Sequence, residues 1–395
     1  MFQDCHQGAE EINSMPASTF WKVVILLPLL LLGACREMEV KEGGQVPPYR
    51  VVLPEEAGNR SLQDLLAELA GKRVIYVGET HSRYGHHLLQ LEVIRGLYER
   101  GVDLAIGMEF FQKPFQKWLD AWIAGEISEA EMLEKTQWYD RWRFDYRLYR
   151  PILQFAREHR IPVIALNVPR ELTEQVSEKG IEGLDREERA QLPAEIDRSD
   201  QAYRERLHEV FTRHQGREES QFERFLDVQY SWDEGMAQSV ADYLEHHPEK
   251  TMVVLAGSGH LAYGSGIPSR VARRIGGDYL IILPASGAED RPEMADYLVA
   301  VERKQLPPRA LMGVMIGDSG KGVRVEGVTP GSGAQQAGLR KGDLLLAIDG
   351  QPVSSLAEIR VRLLDRHPGD RIRVRFERDG EVEEKTLVLG EASSH

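Results

Sequence analysis

The sequence predicts an α/β protein with a parallel sheet, helices on both faces and a helical insertion, followed by a small β-barrel-like domain. Several short apolar runs lack alternation of apolar and polar residues, which is typical of strands buried on both faces of a parallel sheet. Helical patterns separate these runs, and a strand-helix-strand succession forms parallel pairs. The runs are RVIYVG (73–78), DLAIGME (103–109), IPVIALNV (161–168), TMVVLAG (251–257) and DYLIILPA (278–285).

The bulk composition limits the classes of function. The chain has 395 residues, with 63 acidic and 49 basic side chains and a formal charge of −14. This length predicts two or three domains. An acidic chain offers no large basic surface, so we do not expect nucleic acid as a partner.

The first 35 residues are interpreted as a targeting segment. The stretch WKVVILLPLLLLGAC begins at Trp21 and is too short to span a membrane comfortably. Small residues before Cys35 resemble the lipobox of bacterial lipoproteins, which implies cleavage before Cys35 and acylation of that residue. Such an anchor would hold the protein on the periplasmic side of a membrane without crossing it. Because Arg36 follows the Cys, where Asp would signal inner-membrane retention, we expect the outer membrane.

Acidic residues upstream of the apolar run are unusual for a signal peptide, so we expect synthesis to start at Met15. Cleavage would leave Cys35 as the single cysteine of the mature chain, so no disulfide framework is expected. Residues 36–58 are polar and rich in Gly and Pro, which suits a tether.

The α/β domain is predicted to occupy residues 59–302. Leu91, Ile94 and Leu97 have helical spacing between the first two strands, and Gly101 is suited to end that helix. The charged segment from about 170 to 248 is too long for a loop, so we predict a helical insertion or lid. Paired prolines in RKQLPPRA (303–310) mark the next boundary.

Two predicted strands end in the same spacing of Gly and His. Gly78 precedes Glu79 and His81, and Gly257 stands three residues before His260. Ligands on open α/β sheets collect at the carboxyl ends of strands, and Glu109 ends a third strand at that edge. We therefore predict that Glu79, His81, Glu109 and His260 form one site.

These residue types fit three kinds of chemistry. Imidazoles with carboxylates suit a divalent metal such as zinc, and the same groups could catalyse hydrolysis with or without a metal. A haem iron needs one or two axial ligands, His or Tyr, with aromatic walls, which QWYDRWRFDYRLYRP (137–151) could supply. Besides the two histidines above, the candidate haem ligands are Tyr84, His86, His87 and Tyr263.

Five segments together resemble the ChaN-like family of haem-binding bacterial lipoproteins over roughly residues 60–285. The resemblance implies haem bound between α/β protomers, as stacked pairs across a homodimer in some members, and a role in haem or iron uptake. The shared motif does not decide which side chain ligates iron, and we expect Tyr84 or His86 first, then His81 and His260. The segments are VGETHSRYGHHLLQLEVI, GMEFF, IPVIALNVPRE, QYSWDEGMA and GSGHLAYGSGIPSRV.

The same family is similar to erythromycin esterases and a membrane-tethered metalloprotease. That wider resemblance keeps open a hydrolase that uses Glu79, His81, Glu109 and His260. In QYSWDEGMA, Asp233 could orient one of the imidazoles.

Residues 309–391 resemble a PDZ domain, with short alternating strands, a PGSGAQQAGL turn and the segment KGDLLLAIDGQPV. The resemblance implies that a partner's C-terminal carboxylate binds at the loop formed by Leu311, Met312, Gly313 and Val314, and that the peptide adds as a strand to the adjacent edge. An adaptor role through this domain is a further alternative.

Overall fold

The computed structural model describes residues 49–53, 60–213, 221–288, 290–320 and 322–391. The predicted leader 1–35, its Cys35 and most of the predicted tether lie outside these residues. Within the described ranges, no helix combines the length and the apolar character needed to cross a bilayer.

The first domain is built on a seven-stranded sheet with strand order β1-β7-β6-β2-β5-β3-β4. All neighbouring pairs are parallel except β1 with β7, which confirms the predicted parallel sheet. The five predicted strands are β2 to β6, within a few residues of their expected ends. The strands are β1 (Tyr49–Leu53), β2 (Val74–Glu79), β3 (Leu104–Gln112), β4 (Val163–Asn167), β5 (Thr251–Gly257), β6 (Tyr279–Pro284) and β7 (Tyr297–Val301).

Helices cover both faces of this sheet, as predicted. On β2, Ile75 and Val77 face one core cluster, whereas Val74 and Tyr76 face the other. Helices α1, α2, α3 and α6 contribute to the first cluster, and α10 and α11 to the second. The helices are α1 (Leu62–Leu69), α2 (Tyr84–Glu99), α3 (Gln116–Ala124), α4 (Glu129–Lys135), α5 (Trp138–Arg141), α6 (Arg150–Glu158), α7 (Arg170–Lys179), α8 (Arg186–Arg189), α9 (Gln201–Arg213), α10 (Phe222–His246) and α11 (Ile267–Ile275).

Two regions differ from the expectation. Residues 49–53, which we placed in the tether, form the edge strand β1, because Val51 is buried and the strand pairs with β7. The charged segment 170–248 contains helices α7 to α10, and α10 packs along β4, α7 and α11. Most of α10 is buried, so this helix is part of the core on one sheet face rather than a lid.

The C-terminal domain has a five-strand path in the order β14-β13-β11-β10-β9, with β12 paired to β11. Strand β9 is the edge of this sheet, as strand addition by a peptide requires. The elements are β8 (Ala310–Leu311), β9 (Val314–Asp318), β10 (Val323–Val328), α12 (Gly333–Gln336), β11 (Leu344–Ile348), β12 (Gln351–Pro352), α13 (Leu356–Leu363), β13 (Arg371–Arg378), β14 (Glu381–Val388) and β15 (Gly390–Glu391).

Helix α13 joins the two domains by packing against α4. Val361 and Leu364 lie against the core of the first domain. Arg150 Nη1 also lies 2.5 Å from Asp365 Oδ1, and Arg147 Nη1 donates a 2.8 Å hydrogen bond to the carbonyl of Pro307. The contact therefore combines apolar packing with polar pairs at its rim.

Candidate functional site

The two glycines of the repeated motif bring the strand ends close together. A Cβ atom at Gly78 would lie 2.3 Å from Leu283 Cδ2, so a larger residue would collide with β6. A Cβ atom at Gly257 would lie 3.1 Å from His81 Cε1 and 3.6 Å from Glu109 Oε2. The end of β5 thus lies directly against side chains that β2 and β3 deliver.

Glu79 and His81 form the first half of the site. Glu79 is buried at the end of β2, and His81 Nδ1 hydrogen-bonds its Oε1 atom. The other oxygen, Oε2, lies 3.7 Å from His87 Nε2 and has no hydrogen-bond partner among the described residues. With Nδ1 directed at a carboxylate, the neutral form of His81 keeps its lone pair on Nε2, the arrangement that orients a ligating imidazole.

Glu109 and His260 form the second half. The backbone N–H of Gly257 donates a 2.7 Å hydrogen bond to Glu109 Oε2, and Glu109 Oε1 lies 3.6 Å from His260 Nε2. On its other side, His260 Nδ1 lies 2.7 Å from Asp233 Oδ1 on α10. Tyr203 of α9 donates a 2.6 Å hydrogen bond to the second oxygen of that carboxylate.

The pKa values of both imidazoles are raised above the usual value. Burial lowers the pKa of His260, but the carboxylates of Glu109 and Asp233 outweigh this and raise its pKa to about 9. Burial also opposes the charge on His81, and the hydrogen bond to Glu79 together with nearby Glu109 leaves the pKa of His81 above its usual value. The neighbouring carboxylates thus stabilise the proton on each imidazole.

Aromatic side chains pack beside the ring of His81. The ring centroid of His81 is 4.8 Å from that of Trp142 and 5.0 Å from that of Phe144. Trp142 Nε1 donates a 2.9 Å hydrogen bond to the hydroxyl of Tyr149, which fixes the indole. Trp142 and Phe144 of the segment 137–151 thus lie next to an imidazole, whereas its Trp138, Tyr146 and Tyr149 are buried in the core.

The two histidines of α2 are occupied by local hydrogen bonds. Each ring nitrogen of His87 lies 3.1 Å from a carbonyl oxygen, one of the Gln90 side chain and one of the His81 backbone, so neither is presented to a ligand. The backbone N–H of Thr80 donates a 3.0 Å hydrogen bond to His86 Nδ1. Burial, then His87, lowers the pKa of His86 to about 4, so its neutral ring carries the proton on Nε2. An iron ligand would need the lone pair there.

The two tyrosines, Tyr84 and Tyr263, contact residues outside the set Glu79, His81, Glu109 and His260. Tyr84 packs against the first core and lies near Tyr49, and its neighbour Gly85 approaches the backbone of Glu302 just beyond β7. Tyr263 is 39% exposed, with its φ at +62° and the guanidinium of Arg206 stacked on its ring at 4.3 Å. Tyr263 is thus the more accessible of the two.

The zinc alternative is not supported. Across the described ranges, no three His, Cys, Asp or Glu side chains are arranged to hold a metal ion. Glu79 is hydrogen-bonded to His81, and Glu109 to the backbone of Gly257.

The predicted peptide-binding loop of the second domain lies between β8 and β9. Gly313 has a φ of +81°, and a Cβ atom there would lie 2.1 Å from Ser332 Cβ. The carbonyl of Gly313 accepts a 2.9 Å hydrogen bond from the N–H of Thr329, and that of Met312 accepts one of 3.0 Å from Ala334. These bonds fix the loop from Leu311 to Val314 against the start of α12.

Sequence reasoning missed Tyr203 and Gln90. Tyr203 lies in a charged helical stretch 30 residues from its partner Asp233, and no motif marks it. Gln90 is fully buried and donates a 3.0 Å hydrogen bond to the Val77 carbonyl on β2. A buried glutamine three residues after a histidine on one helix face was the available signal for the second.

Comparison with known proteins decides the family. Residues 65–271, more than half of the chain, match the family described as haem-binding uptake, Tiki superfamily, ChaN. The chain belongs to this family. Residues 310–389 match the PDZ domain. Both resemblances inferred from the motifs are thereby confirmed.

The family assignment agrees with a solved structure. The structure described as cofacial haem binding to ChaN of Campylobacter jejuni superposes with a TM-score of 0.53 at 16% identity. It covers 64% of this chain and 97% of that one. At this identity the likeness supports the fold of the ChaN-like domain.

Two relatives are much longer than the segment that they share with this chain. The magnetosome formation protease MamE of Paramagnetospirillum magneticum is 45% identical over 73 residues, 18% of this chain and 10% of MamE, confined to the PDZ part. The chloroplastic protein RETICULATA-RELATED 5 of Arabidopsis thaliana is 25% identical over 233 residues, 53% of this chain and 30% of that protein. The chain thus spans less than a third of either relative.

The residues near His81 fit the haem group that the family implies. A haem site needs an axial nitrogen or oxygen and apolar walls. His81 offers Nε2, because Glu79 engages Nδ1, and Trp142 and Phe144 supply aromatic surface. His81 is also 30% exposed, unlike the buried His87.

Proposed function

We propose that the protein is a lipid-anchored haem-binding protein on the periplasmic side of a bacterial membrane, where it serves haem or iron uptake. We further propose that its PDZ domain binds the C-terminus of a partner. The ChaN-like domain supports the haem part, and the sequence of the leader, ending at Cys35, supports the anchor.

The observation that carries the proposal is the orientation of His81. Glu79 engages Nδ1, and Trp142 and Phe144 stand beside the ring. In this arrangement His81 would hold the iron through Nε2, and the aromatic rings would cover part of the porphyrin. Bound haem would supply a ligated iron for transfer, and the protein's task would be to bind it and keep it from water.

Titration with hemin tests this assignment. We expect the protein from residue 36 onward to give a saturable Soret shift at micromolar hemin. His81→Ala should weaken binding at least about tenfold, because the axial ligand is lost. Tyr263→Phe and Tyr84→Phe, measured in parallel, report whether the exposed phenol of Tyr263 or the core-packed phenol of Tyr84 contributes to hemin affinity.

His367→Ala is a matched control, because His367 is an exposed histidine of the PDZ domain with 69% of its side chain in solvent. Its affinity for hemin should equal that of the unchanged protein. A protein without any saturable Soret shift would contradict haem binding. Equal affinities for the His81→Ala variant and the control would instead place the iron ligand elsewhere.

The oligomeric state and the membrane anchor are tested by separate measurements. Light scattering with and without hemin would reveal whether haem joins two protomers. Mass spectrometry of the membrane-bound protein should show acyl mass at Cys35, and Cys35→Ser should remove it. An unchanged protein without acyl mass would contradict the lipid anchor.

A metal-free hydrolase is the second candidate function. It is favoured by the buried Oε2 of Glu79, which has no hydrogen-bond partner within the described part of the chain, and by the paired His260 and Asp233. Such pairs can transfer protons to a reacting group. Turnover of ester or peptide substrates that disappears in Glu79→Gln would support it, and its absence across a broad substrate panel would count against it.

A further inference from the structure

A cavity of about 440 Å³ lies where the two domains meet. The PDZ domain contributes the loop from Leu311 to Val314, strand β9 and helix α13. The ChaN-like domain closes the opposite side. The first-domain residues that line the cavity are Tyr139, Arg143, Phe144, Asp145 and Arg147.

The PDZ side of the cavity has the features that strand addition needs. Strand β9 is a free sheet edge along the described strands. Ile316, Ile359 and Leu363 provide an apolar lining next to the loop. An extended peptide with an apolar C-terminal side chain fits this surface.

The charge of the lining is unbalanced. Four arginines and a single carboxylate, Asp145, line the cavity. Arg147 already binds Asp145, with Nη2 2.8 Å from Oδ2, and so neutralises it. Arg360 stacks on Tyr139 at 4.0 Å, and Arg143 Nε donates to the carbonyl of Asp140. Among the described residues, neither Arg360 nor Arg143 pairs with a carboxylate.

We propose that this cavity is a composite peptide site, in which the ChaN-like domain supplies Arg143 and thereby selects a C-terminal peptide that carries acidic residues upstream of an apolar terminus. The inference rests on the peptide-binding part of the proposed function and is independent of haem. Arg360 on α13 supplies a second positive charge from the PDZ side. The carboxylates of an acidic peptide would neutralise the positive charge that Arg143 and Arg360 place in the cavity.

Fluorescence anisotropy with defined peptides tests the selection. The probes are three labelled octapeptides that end in Val: one with two Glu residues upstream, one with two Lys residues in their place, and the Glu peptide with an amidated C-terminus. We expect the Glu peptide to bind at least about fivefold more tightly than the Lys peptide, less so at high salt. Amidation should abolish binding.

Arg143→Glu tests the contribution of the first domain and should remove or reverse the preference for Glu. Arg160→Glu is its matched control, because both arginines are exposed and both have positive φ, +69° and +53°. Equal binding of the Glu and Lys peptides would overturn the selection while leaving peptide binding intact. Binding of neither peptide would overturn the inference together with the PDZ role. An Arg143→Glu protein that matches its control would overturn the composite site.

Discussion

The imidazole of His260 is held by Asp233 at a distance of 2.7 Å between Nδ1 and Oδ1. Asp233 is fully buried on α10, and its other oxygen accepts the hydroxyl of Tyr203. A buried carboxylate without a cationic partner would be costly, so the pair stabilises the charged form of the ring. The orientation of His260 is therefore set from the helical segment and not from the sheet alone.

Replacing Asp233 with Asn should lower the pKa of His260. The amide keeps the shape of the side chain but removes one of the three negative charges, those of Glu109, Asp233 and Glu79, that raise this pKa to about 9. NMR titration of the His260 Cε1 proton measures the change directly. Asp242→Asn is the control, because Asp242 is exposed on the same helix. An unaltered His260 titration in Asp233→Asn would contradict the assigned pair.

Stability should fall as the pH rises from about 6.5 to 9. The pKa of His260 is raised from 6.5 to about 9 on folding, so the folded state binds this proton more tightly. The stabilisation is complete below pH 6.5 and is lost as pH passes 9, with an upper limit of roughly 3 kcal/mol. Urea denaturation across this range measures it. His260→Gln should flatten the profile, and parallel profiles would refute the linkage.

Truncation of Glu234 should destabilise the first domain by about 3–5 kcal/mol. This carboxylate is fully buried and pairs with three arginines of α11, including Arg270, which is only 2% exposed. Glu234→Ala would leave that guanidinium buried with one fewer partner. Glu245→Ala, at an exposed position of the same helix, should change the free energy of unfolding by less than about 0.5 kcal/mol. Similar urea midpoints for the two variants would contradict this.

Gly313→Ala should abolish peptide binding by the PDZ domain. Its positive φ disfavours a side chain, and the added Cβ would also collide with Ser332. Gly331 also has a positive φ, +75°, but the Cβ of Gly331→Ala would meet open space. The positive φ should cost each variant about 1–2 kcal/mol of stability. Only Gly313→Ala should lose affinity for the peptide. Retained affinity in Gly313→Ala would exclude this loop from the peptide site.

The sequence predicted the central strands because a strand buried on both faces is continuously apolar. It also predicted that Glu79 and His260 share one sheet edge, since parallel strands end together. The strands β1 and β7, at one end of the sheet, gave weaker signals. They are short, and β1 adjoins a stretch rich in Pro and Gly, so only their pairing identifies them.

Contacts between distant segments left no mark in the sequence. Tyr203 reaches Asp233 because two helices pack side by side, and Arg150 reaches Asp365 because the domains meet there. Neither pair has a periodic or motif signal. The hydrogen bonds that occupy His86 and His87 were equally hidden, since they depend on how the start of α2 folds back on the end of β2.

The ring of Phe144 belongs to two walls at once. On one side it lies 5.0 Å from His81, and on the other it lines the cavity between the domains. Any molecule that displaces this ring from one side alters the packing available on the other. Thermodynamic linkage is reciprocal, so a ligand at one wall that changed the affinity at the other would have its own affinity changed by the same factor. Phe144 is thus a residue through which the two domains share one packing surface.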